Sequence, residues 1–88
     1  MSITNNHVTV SATASLIATI PSGGGTVYIT NSDSTATVYI GDSSVTTDTG
    51  LQLLPGQSIS GTFAPEENIY GIVSTGTLVV HYLMNEAL

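Results

Sequence analysis

The sequence predicts an all-β protein, a small antiparallel β-sandwich or barrel of about eight short strands. Three observations carry that prediction. Apolar and polar residues alternate along most of the 88-residue chain, and helical periodicity is nearly absent. Clusters of Gly, Pro, Asn, Asp and Ser interrupt the alternation at intervals of about 8–12 residues. Thr, Val and Ile dominate the composition, and β-branched side chains suit a pleated, half-buried surface.

Residues 1–6 read as a flexible N-terminal arm, residues 7–84 as a single β-sandwich domain and residues 85–88 as a C-terminal tail. His7–Ser11 alternate, with Val8 and Val10 on one face. Ser15–Ile20 form a second strand, with Leu16 and Ile20 as its inward anchors. Pro21-Ser22-Gly23-Gly24-Gly25 is a turn.

An internal repeat follows, Thr26-Val27-Tyr28-Ile29 and Thr37-Val38-Tyr39-Ile40. In each copy Val and Ile share one face and Thr and Tyr the other. The turn formers of Asn31–Thr35 lie between them, so the repeat is expected to close as a β-hairpin with Val27, Ile29, Val38 and Ile40 in the core. Tyr28 and Tyr39 would then lie together on the opposite face, as ordinary surface packing or as an interface pair.

Gly41–Gly50 is the longest polar connection, and Leu51–Leu54 form a short strand. Pro55-Gly56 fits the central positions of a type II turn, since proline presets φ and glycine accepts positive φ. Gln57–Phe63 alternate with Ile59, Gly61 and Phe63 on one side. Ala64–Asn68 form a loop, Ile69–Ser74 a strand and Thr75-Gly76 a turn. Leu78–Met84 form the last strand, and its apolar run Leu78-Val79-Val80 suits burial on both faces.

Charge narrows the functional classes. The chain has no lysine or arginine and six carboxylates, a formal net charge of −6. Affinity for nucleic acid rests largely on Lys and Arg displacing counterions, so nucleic-acid binding is not expected. Attraction to anionic membranes is missing for the same reason. No apolar stretch approaches the roughly 18 residues of a membrane span. The N-terminus has neither the basic nor the apolar region of a secretory signal. Without cysteine, disulfides and thiolate metal sites are excluded.

No set of residues points to catalysis, and the chain reads as a non-enzyme with no cofactor and no metal. There is no Gly-x-Ser-x-Gly elbow leading into a helix. His81, in an apolar strand, reads as structural and His7 as solvated. Asp33, Asp42 and Asp48 lie in oxygen-rich loops that could suit calcium, but their spacing matches no EF-hand, and polar turns are the preferred reading. Gly23–Gly25 open a strand and lack the helix and lysine of a phosphate cradle. Glu66 and Glu67 are adjacent and point to different sides, unlike a glycosidase pair.

One stretch, Val27–Leu83, resembles small β domains encoded among the structural genes of tailed bacteriophages. The resemblance is carried by Tyr28-Ile29-Thr30-Asn31, Val38-Tyr39-Ile40-Gly41, Gly50-Leu51-Gln52-Leu53, Leu54-Pro55-Gly56-Gln57-Ser58 and Ile69-Tyr70-Gly71-Ile72, followed by Gly76–Val80. The chain departs from such domains at Gly23-Gly24-Gly25, where they often carry a basic residue. The resemblance implies a virion structural protein assembled in the host cytoplasm, most simply a capsid decoration or cement protein on the outer head surface. Its implied partner is the major capsid protein or another virion protein. Edge strands lacking the usual lysine add an expectation of homo-oligomerisation, with a trimer favoured. Ile3 in the arm, Tyr28 and Tyr39 are the candidate partner contacts. Deleting residues 1–6 is expected to weaken attachment and spare the fold. Two rival readings stand beside this one. The first is a carbohydrate- or receptor-binding module using Tyr28, Tyr39 and Tyr70. The second is a tail or connector accessory protein.

Overall fold

The computed structural model describes residues 3–86. Eight strands follow in order: β1 Ile3–Val10, β2 Ser15–Thr19, β3 Gly25–Asn31, β4 Val38–Gly41, β5 Leu51–Leu53, β6 Ser58–Phe63, β7 Asn68–Ile72 and β8 Leu78–Glu86. They form two four-stranded antiparallel sheets, ordered β1-β8-β3-β6 and β2-β7-β4-β5.

The pairing is nested. β1 pairs with β8, β2 with β7, β3 with β6 and β4 with β5. The chain therefore behaves as one long hairpin whose tip is the 42–50 loop, rolled so that successive pairs alternate between the sheets. Contacts β3–β8 and β4–β7 complete the sheets. This strand order is that of a double-sheet jelly roll.

Alternation places one apolar face of each sheet against the other. Val10, Val27, Ile29, Leu78 and Val80 from the first sheet meet Ile17, Val38, Leu53 and Ile69 from the second, all buried. The first sheet turns Thr26, Tyr28, Ser60 and His81 outward, and the second turns out Tyr39 and Tyr70.

Local turn chemistry holds where it was legible. Gly56 has φ 78°, and Gln57 N donates to the Leu54 carbonyl at 3.0 Å, closing the Pro55-Gly56 turn. The 42–50 loop is less polar in effect than in composition, because Val45 is buried beneath it. Gly50 leaves room for that side chain, since a Cβ there would stand 2.8 Å from Val45 Cγ2 and 2.6 Å from Tyr39 Cβ.

Five expectations are corrected. The repeat does not form a hairpin. β3 and β4 lie in different sheets, and their Val and Ile side chains face each other across the core. Both edges of β3 are occupied, by β8 and β6, which leaves no edge for β4.

Second, Ile3–Asn6 are not an arm. They belong to β1 and pair in register with Asn85, Met84, Leu83 and Tyr82 of β8. Met1 and Ser2 lie outside the described residues. The tail is shortened likewise, because Asn85 and Glu86 extend β8, and Ala87 and Leu88 lie outside the described residues.

Third, Leu16 points outward and is exposed, while Ile17 and Ala18 are both buried. The register of β2 against β7 shifts between Leu16 and Ala18. The bulge adds one residue and inverts the facing upstream of it, whereas Ile20, downstream, keeps its inward place. Fourth, Val79 is exposed, because β8 alternates and is covered on one face only.

Fifth, His81, read as a satisfied structural histidine of an apolar strand, keeps a hydrogen-bond partner but stands at the surface. It is exposed on the outer face, directly opposite His7 across the β1–β8 ladder, with ring centroids 5.6 Å apart. Its Nδ1 shares a hydrogen bond with Ser32 Oγ.

Candidate functional site

The two edges of the sandwich differ. On one side β1 and β2 come close together, whereas β5 and β6 on the other stand apart. Between them lies a slot of about 530 Å³. Cavities of roughly 300–1,000 Å³ with a few polar groups are the usual form of a binding site.

Val27, Ile29, Ile40 and Ile69 form its floor. Ile59, Gly61 and Phe63 of β6 form one wall, and Leu51 of β5 stands at the other with 59% of its surface exposed. The inward half of β6 is thus only half-buried, unlike the equivalent residues of β3.

One end of the slot is shut. The turn 54–57 carries the chain from β5 to β6, and fully buried Asn31 is fixed beside it. Asn31 Nδ2 donates to the carbonyls of Ala36 and Leu53 at 2.9 and 3.0 Å. Its Oδ1 accepts from Asp33 N at 2.9 Å. Its main chain exchanges bonds with Gln57 O and Gly56 N. A buried amide this well satisfied ties the strands together at that end. The asparagine ending β3 was visible in the sequence, but its burial was not.

At the other end lies a mouth bordered by Asp42, Glu67 and Asn68. Asp42 Oδ1 accepts from Ser44 N at 2.9 Å, and Glu67 Oε1 accepts from Ala64 N at 3.0 Å. Each carboxylate is thereby oriented by its own turn, with its second oxygen outside those bonds. The chain has no lysine or arginine to neutralise either one.

The residues singled out from sequence fall elsewhere. Ile3 is exposed at the start of β1. Tyr28 lies on the outer face of the first sheet beside Leu83, and Tyr39 on the outer face of the second beside Ile72. Tyr28 and Tyr39 are therefore on opposite sides of the molecule and form no pair. Tyr70 joins Tyr39 on the second sheet, next to exposed Leu16. A three-tyrosine sugar platform is consequently not assembled. Among the described residues, no group of three His, Cys, Asp or Glu is placed to hold a metal ion.

Sequence reasoning missed the slot. No strand's own pattern carries it, because a slot between two walls is defined only once the facing wall is known.

Compared with known proteins, the chain matches no family model and no curated sequence.

Proposed function

We propose that this chain is a non-catalytic structural protein of a bacteriophage virion, docking on the outer head surface as a decoration or cement protein. The single observation that carries the reading is the open β5–β6 edge, an apolar slot left unfilled by the chain's own residues. Monomers normally cover such apolar surface, and uncovered patches mark places where another molecule binds. The resemblance of Val27–Leu83 to phage structural domains supports the virion setting. The double-sheet jelly roll adds an analogy at the level of fold, since capsid and lectin domains use it.

A trimer belongs to the same proposal. Leu16, Tyr70, Ile72 and Tyr39 form a contiguous uncharged area on the outer face of the second sheet, where copies can meet without setting acid against acid. Light scattering on a sizing column reads this directly, as a mass three times 9.0 kDa.

The deciding experiment is quantitative mass spectrometry of purified particles. Digestion must use chymotrypsin or a Glu-specific protease, since a chain without lysine or arginine offers trypsin no site. A fixed ratio to the major capsid protein on the particle supports the proposal. Particles free of the chain overturn it.

A further inference from the structure

We infer that the β5–β6 slot accepts an extended segment of another protein chain, apolar at alternate positions and carrying a Lys or Arg that meets Asp42 and Glu67. This deepens the docking reading by naming the chemistry of the partner.

The slot has the form of an unfinished sheet layer. Among the described residues β6 is the last strand of its sheet and pairs with β3 alone, which leaves its outer backbone edge open to another strand. A strand added there turns every second side chain into the open side of the slot, beside Ile59 and Phe63 and toward Leu51. At Gly61 the missing side chain makes room for the Phe63 ring of the same wall, since a Cβ at that position would meet Phe63 Cε1 at 3.1 Å. The six residues of β6 define the length of segment that can pair.

Charge selects the class of occupant. The mouth presents two carboxylates in a protein of net charge −6. A second copy of this chain brings no lysine or arginine to them and adds its own acidic surface. A neutral apolar small molecule fills the floor but leaves both the carboxylates and the β6 edge unused. A basic-tipped β segment satisfies all three features, and the charge also steers its approach.

The test is selection from a library of random twelve-residue peptides against the full chain, followed by ¹⁵N NMR titration with the enriched peptides. The expected peptides alternate apolar residues and carry Lys or Arg at one end. Their shifts map to Leu51, Ile59, Gly61 and Phe63. Asp42→Asn and Glu67→Gln together weaken binding by about tenfold and flatten its salt dependence. Both substitutions keep the acceptor oxygens that hold the turns, so the fold survives them. Ile59→Glu serves as a second, independent block.

The inference is overturned by no enrichment, by enriched peptides without a cation, or by shifts confined to the Tyr39–Tyr70 face. Dimerisation that shifts Leu51 and Ile59 on concentration also overturns it, by making a second copy the occupant. Binding of basic β peptides by a chain that particles lack leaves this inference standing and removes the virion reading alone.

Discussion

Asn31 Nδ2 donates a 3.0 Å hydrogen bond to the carbonyl of Leu53, and so joins a strand of one sheet to a strand of the other. With the second bond to Ala36 and the acceptance from Asp33 N, this side chain closes one end of the sandwich. Truncation strands carbonyls in a buried place. Asn31→Ala should therefore cost about 2–4 kcal/mol in urea unfolding, well above a typical surface change. Asn31→Asp should also destabilise, because a carboxylate cannot donate to either carbonyl. A loss below about 0.5 kcal/mol for the alanine variant would show that the clamp is unimportant.

The bulge in β2 depends on a glycine across the ladder. A Cβ at Gly71 would stand 2.8 Å from Ile17 Cδ1 and 3.3 Å from Val38 Cγ2. Gly71→Ala should destabilise by about 1–3 kcal/mol through overpacking. Ile17→Val deletes the Cδ1 in question, so the double variant should recover part of that loss. Simple additivity in the double-mutant cycle contradicts the contact.

Glu66 adopts φ 63° in the loop between β6 and β7. A side chain in the left-handed region costs about 1–2 kcal/mol, and glycine avoids that cost at some expense in unfolded-state entropy. Glu66→Gly should raise stability by about 0.5–1 kcal/mol, read as a higher urea midpoint at unchanged slope. The bond from Glu66 N to the Ile20 carbonyl is a main-chain bond and persists.

Asp33 Oδ2 accepts from Thr35 N at 2.9 Å, from Ala36 N at 2.7 Å and from Thr35 Oγ1 at 3.2 Å. The main-chain bonds from Thr35 and Ala36 hold its carboxyl below the usual aspartate value of 3.8. Below 3.8 the unfolded chain takes up this proton first, so stability rises with pH there. The contribution is complete above 3.8 and is lost as pH falls through the depressed folded value. Asp33→Asn should remove that dependence: the stability difference between wild type and variant shrinks on acidification below 3.8. A difference that stays constant across acid urea titrations rules out a stabilising role for these bonds.

Deleting residues 1–6 should now lower stability, because Ile3–Asn6 are ladder partners of Tyr82–Asn85. The inner half of β1, with Val8 and Val10, remains to cover β8. A shortened chain that unfolds at the same urea concentration as the full one contradicts this pairing.

The sequence alone determined the class of fold, the turn positions and the charge. All three are local or additive properties. Alternation of period two marks a strand wherever it occurs, Pro55-Gly56 encodes its turn within four residues, and a missing lysine is missing in any conformation. The inward sides of β3, β4 and β6 were legible for the same reason.

Tertiary structure alone decided which strands pair, where β2 inverts and where the sandwich stays open. Alternation records which side chains face inward but carries no label for the sheet, so Val27 and Val38 read alike whether they are hairpin partners or face each other across the core. The bulge at Ile17 answers to Gly71, more than fifty positions away. The slot exists because β5 and β6 end different sheets and do not pair with each other, and a gap between two walls belongs to neither strand's own pattern.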